Sequence, residues 1–265
     1  MRREMVQFRS GDFNLQATCD WPDTPGPVPA VIYCHGFTGH RMETRRTYAR
    51  LAQMLAVHGI AGFRFDHRGC GESDGDFIDF TPAGMLEDLD AALATFVQLP
   101  NIDLARTAVV GYSLGGCSAS YLLCRRPDFV TAVLWAPVAR PEIIRNRLSQ
   151  YGAFEGYAER GYMDYGGFRV SAAYLDEVGH TLKPLDWIKT YTKPIRILQG
   201  AEDDIVKPEQ TERYLQARLN SGDVAELVPN SDHSFTSAEN FDYVLRCSEE
   251  WLVKNLSKLT KPRQN

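Results

Sequence analysis

Short runs of apolar and β-branched residues recur along the chain and predict eight β-strands. We expect them at residues 5–9, 14–20, 30–34, 60–65, 108–112, 130–135, 195–199 and 225–228. From residue 40 onward these runs alternate with helical patterns, as in the segment after Thr81-Pro82, where apolar side chains recur at helical spacing. Such alternation is typical of a parallel sheet with crossover helices, here preceded by an antiparallel hairpin. The predicted class is α/β, with a mostly parallel eight-stranded sheet and helices on both faces.

Residues 140–185 interrupt this alternation, because they are rich in glycine, tyrosine and charge and show no clear period. Seven aromatic residues lie between Tyr151 and Tyr174. The segment therefore predicts an insertion that caps the sheet. Repeats, low-complexity tracts and linkers are not evident, so we expect a single domain over residues 1–265 that carries this cap.

Composition narrows the classes of partner. Apolar residues make up 44% of the chain and charged residues 24%, which is typical of a globular protein, and the formal net charge is −5. Basic residues form no cluster, and no apolar run approaches about 18 residues, so neither nucleic acid nor a membrane is expected as a partner. Without an export signal or CxxC and HExxH motifs, we expect a cytoplasmic protein with reduced thiols, no metal and no cofactor. The sequence leaves open whether the chain forms a homodimer.

A candidate nucleophile follows the strand at 108–112. Gly111-Tyr112-Ser113-Leu114-Gly115 leads from that strand into a helical pattern, which is the context of a nucleophile elbow. The flanking glycines relieve crowding where the turn exposes the serine hydroxyl. Ser113 is therefore the expected nucleophile.

A serine hydroxyl needs a base and a carboxylate, which in this architecture follow it along the chain. His233 lies in a polar loop between the last predicted strand and the last helix, whereas His35 and His67 are expected to have structural roles. Asp203 and Asp204 lie in the loop after the strand at 195–199, and Asp203 is preferred, with Asp204 as the alternative. Asp232 is disfavoured because adjacent side chains in a loop commonly diverge.

Oxyanion donors are expected at two backbone positions. One is the N–H of Leu114, directly after the nucleophile, and the other is the N–H of Phe37 in the glycine-containing turn at 35–39.

Five segments together resemble the α/β-hydrolase superfamily: HGFTG at 35–39, RFDHRGCGESDG at 64–75, GYSLGG at 111–116, GxxD at 200–203 and DHSF at 232–235. The phenylalanine after His35-Gly36 and the aromatic insertion are similar to bacterial feruloyl/cinnamoyl esterases. The resemblance implies the α/β-hydrolase fold, a triad of Ser113, Asp203 and His233, and an oxyanion hole at Phe37 and Leu114.

The expected activity is hydrolysis of a small-molecule carboxylic ester through an acyl-enzyme, with a small or hydroxycinnamoyl acyl group. Candidate substrate-binding residues in the cap are Gln150, Tyr151, Tyr157, Asp164 and Tyr165. The alternative for the cap rings is that they pack the insertion onto the domain. A monoacylglycerol lipase and an aminopeptidase or amidase share the same motifs and stay open as alternatives, and a non-catalytic ligand receptor is a third.

Overall fold

The computed structural model describes residues 1–218 and 222–257. Its main element is an eight-stranded sheet that contains all eight predicted strands. The strands are β1 (Arg2–Ser10), β2 (Phe13–Trp21), β3 (Val28–Cys34), β4 (Ala61–Phe65), β5 (Ile102–Tyr112), β6 (Thr131–Trp135), β9 (Ile195–Gly200) and β10 (Val224–Val228). Their order across the sheet is β1-β2-β4-β3-β5-β6-β9-β10. Strands β1 and β2 form the predicted antiparallel hairpin, β2 pairs antiparallel with β4, and the other neighbours are parallel.

Helices cover both faces of the sheet, as predicted. Residues of β3 point alternately to two hydrophobic clusters, because side chains along a strand alternate between faces. Val31 and Tyr33 pack with α1 (Thr47–Val57) and α9 (Ala238–Leu256), whereas Ile32 and Cys34 pack with the helices of the opposite face. That opposite layer contains α2 (Pro82–Gln98), α3 (Leu114–Arg125), α7 (Pro184–Ile188) and α8 (Glu209–Arg218).

Strand β5 is longer than expected, since it begins at Ile102 and not at residue 108. Its first half is partly exposed and polar, with Asp103 and Arg106 in an ion pair, so no apolar run marks it in the sequence. Ile102 pairs with Val28 of β3 across a register shift. The pairing with β3, and not local hydrophobicity, extends the strand.

The insertion after β6 has regular structure that the sequence pattern did not predict. It contains α4 (Ile143–Gln150), α5 (Tyr157–Arg160), a hairpin of β7 (Met163–Tyr165) and β8 (Phe168–Val170), and α6 (Ala172–Thr181). These elements are too short for a period to be evident. Leu148, Met163, Val170, Tyr174 and Val178 are buried in the same cluster as the sheet, which anchors the insertion to the domain.

Candidate active site

Ser113 lies at the sharp turn between β5 and α3. Its φ is 57° and its ψ −119°, a conformation that is rare for residues other than glycine. Three backbone hydrogen bonds hold the turn: Ser113 N donates to the carbonyl of Trp135 at 2.8 Å, and its own carbonyl accepts from Gly116 at 2.9 Å and Val138 at 3.1 Å. The strained conformation is thus maintained by neighbouring strand and loop backbone.

The glycines on either side of the turn are required by close backbone contacts. A Cβ atom at Gly115 would lie 1.9 Å from the carbonyl oxygen of Cys34, at the end of β3. A Cβ at Gly111 would lie 2.2 Å from the carbonyl oxygen of Gly115. A side chain at Gly115 would push the start of α3 away from the end of β3, and a side chain at Gly111 would push β5 away from the start of α3. Both positions of the turn therefore require glycine.

His233 and Asp203 form a hydrogen-bonded chain with Ser113. His233 Nε2 is 3.1 Å from Ser113 Oγ, and His233 Nδ1 is 2.7 Å from Asp203 Oδ2. Because a carboxylate only accepts, the Nδ1 proton belongs to this second hydrogen bond. Nε2 is then available to accept the serine proton. The three side chains come from loops at the carboxyl ends of β5, β9 and β10, where parallel α/β sheets bind ligands.

The backbone around Asp203 selects it over the neighbouring acids as the partner of His233. Asp203 Oδ1 accepts from the amides of Ile205 and Val206 at 2.9 and 2.8 Å, and its Oδ2 also accepts from Gln199 Nε2 at 2.8 Å. Asp204 is exposed to solvent. The carboxylate of Asp232 instead accepts from the amide and hydroxyl of Thr236.

Tyr112 and Gln199 are site residues that sequence reasoning missed. The Tyr112 ring stacks on the His233 imidazole with centroids 5.1 Å apart, and its hydroxyl donates to the His233 carbonyl at 3.0 Å. These contacts restrict the position of the ring and of the loop that carries it. A signal for Gln199 was present, because it is a polar residue directly after the apolar pair Ile197 and Leu198 of β9. Tyr112 carries no comparable signal.

Phe37 and Leu114 border the same cleft as Ser113. Leu114 is the first residue of α3, so its N–H has no acceptor inside the helix. Within the described residues the N–H of Phe37 likewise donates to no other backbone or side-chain group. The two residues predicted to form an oxyanion hole therefore border the cleft, and in the described part of the chain neither N–H has an acceptor.

Glu43 supports the loop that carries Phe37 and was not identified from the sequence. Its buried carboxylate accepts from the Gly36 amide at 2.6 Å and from the Thr44 amide at 3.2 Å. Burial raises the pKa of this carboxyl to about 7, although both amide bonds and His233 favour its charged form. No sequence pattern predicts that a glutamate seven positions after Gly36 makes this contact.

The cleft in front of Ser113 and His233 has a volume of about 130 Å³. Its remaining walls are mainly apolar and consist of Phe37, Leu114, Val138, Ile143, Ile144, Arg147, Leu148, Tyr165, Ile205 and Val206. Across the described ranges, no three His, Cys, Asp or Glu side chains cluster as metal ligands would. The cleft thus offers a nucleophile, a base and an apolar surface for an acyl group.

Of the five cap residues predicted to bind substrate, the structure brings Tyr165 to the cleft. Tyr151 is 57% exposed and its ring contacts that of Tyr165, at 5.0 Å between centroids. Tyr157 packs against the hydrophobic core. Gln150 borders a separate groove beside the cleft, and Asp164 accepts from the Gly167 amide in the turn of the hairpin.

The chain is similar to known proteins both in sequence and in structure. A family model described as "Serine aminopeptidase, S33" matches residues 25–154, and one described as "PhoPQ-activated pathogenicity-related protein" matches residues 139–255. The structure of Est1E from Butyrivibrio proteoclasticus with bound ferulic acid aligns with a TM-score of 0.82 and 24% identity, covering 96% of this chain and 100% of Est1E. The chain has the α/β-hydrolase fold.

Among curated proteins, this α/β-hydrolase is similar to "Palmitoyl-protein thioesterase ABHD10, mitochondrial". The mouse protein (Mus musculus) is 26% identical over 245 residues, which cover 88% of this chain and 77% of the relative. The structure of ABHD10 from mouse aligns with a TM-score of 0.72 and 20% identity, over 95% of this chain and 99% of that one. No helix within residues 1–218 and 222–257 combines the length and apolar character of a membrane crossing. The compartment stays a prediction.

Proposed function

We propose that this α/β-hydrolase cleaves carboxylic esters or thioesters through an acyl-enzyme on Ser113. The observation that carries the proposal is the chain of hydrogen bonds from Ser113 through His233 to Asp203, at 3.1 and 2.7 Å, inside an apolar cleft. A curated relative named as a palmitoyl-protein thioesterase supports the same reaction class.

In this mechanism Ser113 attacks the carbonyl carbon while His233 Nε2 takes the hydroxyl proton. The N–H groups of Phe37 and Leu114 donate to the oxyanion of the tetrahedral intermediate. His233 then gives its proton to the leaving oxygen or sulfur, and the carbonyl reforms as an acyl-enzyme. Water, deprotonated by the same imidazole, releases the acid and regenerates the serine. Asp203 holds the Nδ1–H tautomer and stabilises the imidazolium throughout.

For the acyl group we propose a hydroxycinnamoyl or similar planar unit. The rings of Phe37 and Tyr165 border the cleft with their centroids 5.9 Å apart. Est1E, which has ferulic acid bound in its structure, supports this assignment by its fold. Two ring contacts of about 0.5–1.5 kcal/mol each would favour an aromatic acyl group by roughly fivefold to a hundredfold.

An aliphatic acyl thioester is the second candidate. The cleft walls include the aliphatic side chains Val138, Ile143, Ile144, Leu148, Ile205 and Val206. Some cap rings have packing partners outside the cleft, for example Phe168 against Phe77. The resemblance to ABHD10, named as a palmitoyl-protein thioesterase, favours this candidate.

An aminopeptidase is less well supported, because recognition of a substrate ammonium calls for acidic or carbonyl acceptors. The described residues that line the cleft include no aspartate or glutamate, and the charged side chain among them is the cation Arg147. A charge of this sign would repel a free amino terminus.

Measurement of kcat/KM for methyl ferulate, an aliphatic methyl ester and thioester of similar size, and a matched anilide tests these assignments. We expect turnover of esters, with ferulate preferred, and a loss of roughly 10⁴- to 10⁶-fold in Ser113→Ala, because nucleophile and base act as a unit. Ser149→Ala, on the exposed side of α4, is the matched control and should behave as wild type.

A fluorophosphonate probe should label the wild-type protein and the Ser149→Ala variant but not Ser113→Ala. Near-wild-type turnover by Ser113→Ala would reject the proposed triad. A preference for the aliphatic substrates would leave the triad in place and replace the hydroxycinnamoyl assignment with the second candidate. Turnover of the anilide alone would favour an amidase.

A further inference from the structure

Arg147 introduces a positive charge into the otherwise apolar wall of the cleft. It lies on α4 between Ile144 and Leu148, which are both buried. The cleft that it borders also contains Ser113 and His233.

The hydrogen-bonding capacity of Arg147 is only partly used. Its Nη2 donates to the Tyr151 hydroxyl at 2.9 Å, and the guanidinium lies over the Tyr151 ring, 4.4 Å from the centroid. Its Nε is buried and has no acceptor in the part of the chain that the structure describes. Because this atom is enclosed by protein, an acceptor supplied by a ligand would instead meet N–H groups of the two Nη atoms, of which Tyr151 occupies one.

The fully buried arginines of the described residues pair with carboxylates, whereas the half-buried Arg147 does not. Arg64 contacts Asp20, and Arg218 contacts Asp223. Asp204 and Glu209 border the outer groove beside Arg147 together with Lys207, but within the described residues no carboxylate lies within ion-pair distance of its guanidinium. Tyr151 orients the guanidinium without neutralising it.

We propose that Arg147 binds a carboxylate carried by the substrate, so that the natural substrates are esters or thioesters with an anionic group. This inference rests on the proposed hydrolase function. The planar guanidinium matches a carboxylate with parallel hydrogen bonds, and the apolar wall lowers the local dielectric constant, which strengthens the attraction. The carboxylate can belong to the acyl part or to the leaving group.

Two pairs of substrates distinguish a carboxylate on the acyl part from a carboxylate on the leaving group. The acyl pair is p-nitrophenyl hexanoate and mono-p-nitrophenyl adipate, and the leaving-group pair is methyl para-acetoxybenzoate and para-acetoxybenzoate. In the wild type we expect kcat/KM for the anionic member to exceed that for the neutral member by about tenfold to a hundredfold in one pair, the usual effect of a charge-assisted hydrogen bond.

The variants Arg147→Gln and Arg145→Gln test whether Arg147 is the cause. Arg145 lies on the same helix, is exposed and does not border the cleft, so its variant should keep the wild-type ratio. Arg147→Gln should reduce the ratio to about one or lower. Arg147→Lys should retain part of the preference through its charge. Circular dichroism and melting temperature check that each variant is folded.

Equal kcat/KM within both pairs for the wild type, or a preference that survives in Arg147→Gln, would overturn the proposal. Turnover of the neutral esters is a separate measurement of the hydrolase function and does not depend on this site. If no ester were turned over, the hydrolase function would fail by itself. Calorimetric binding of mono-p-nitrophenyl adipate to Ser113→Ala, with and without Arg147→Gln, would then decide the anion site.

Discussion

Two histidine–aspartate pairs lie at the carboxyl edge of the sheet, and they differ in what surrounds them. His233 Nδ1 is 2.7 Å from Asp203, and His67 Nδ1 is 3.4 Å from Asp88. The first pair borders the cleft. The second is only 1% exposed at the histidine, whose ring lies between those of His35 and Phe80, 5.0 and 5.6 Å away between centroids.

The difference lies in the far side of each imidazole. His233 Nε2 faces the Ser113 hydroxyl at 3.1 Å. His67 Nε2 is buried and has no hydrogen-bond partner in the part of the chain that the structure describes. Its aspartate is shared with Arg68, which donates to Asp88 Oδ1 through Nε at 3.0 Å and Nη2 at 2.7 Å. A paired histidine is therefore a candidate base only where a nucleophile and an opening to substrate are also present.

The electrostatics of the buried pair fit a structural role. Burial alone raises the pKa of the Asp88 carboxyl, but hydrogen bonds and charges from His67 and Arg68 hold it below its ordinary value. Burial, and after it the adjacent His67, lowers the pKa of the neighbouring His35 to about 3. His35 is neutral at physiological pH and accepts from the His67 amide at 3.2 Å, which ties the loop before Phe37 to the loop after β4.

The largest effect is expected from replacing the two neighbouring acids in the loop after β9, Asp203 and Asp204. Asp203→Asn should lower kcat by about 10³- to 10⁴-fold, because the amide favours the wrong imidazole tautomer. Asp204→Asn is the matched control and should change kcat by less than about threefold, since Asp204 is exposed. Steady-state kinetics on one ester measures both. A fall in kcat for Asp204→Asn as large as that expected for Asp203→Asn would show that the loop has a different register in solution.

Replacing the acid of the second pair should affect stability more than catalysis. Asp88→Asn removes the buried charge partner of Arg68 and leaves it only the exposed Glu87, and breaking such a buried pair costs about 3–5 kcal/mol. Urea unfolding should show this loss, while kcat of the folded fraction falls less than about tenfold. Asp90→Asn on the same helix breaks an exposed pair with Arg125 and should cost less than about 1 kcal/mol. A drop in kcat as large as that of Asp203→Asn would give His67 a catalytic role.

A smaller effect is expected from Glu43 as pH changes. The pKa of the Glu43 carboxyl is about 7 in the folded protein, compared with 4.5 for an ordinary glutamate. The folded protein therefore holds an extra proton between these two pH values. The free energy of unfolding should therefore fall as pH rises from 4.5 to 7, by up to about 3 kcal/mol, and level off above. Urea unfolding across this range should show a weaker decline in Glu43→Gln than in the wild type. Parallel pH profiles would contradict the assignment.

The local parts of the fold were predictable because their causes are local. All eight strands of the main sheet, the antiparallel start and the helix after Thr81 follow the predicted pattern, and Thr81 caps that helix by accepting from Gly84 at 3.0 Å. The elements of the cap were missed, since α5 and its hairpin are too short to show a period. The first half of β5 was missed because only pairing with β3 defines it.

By itself, the sequence determined the class of fold, the elbow at Ser113 and the order of serine, acid and histidine, because glycine spacing and strand periodicity act between near neighbours. Only the tertiary structure decided which of Asp203 and Asp204 contacts His233, and which cap ring borders the cleft. It also placed Arg147 in that wall. These features depend on which distant segments meet and which polar atoms remain unpaired there, and no local pattern encodes either.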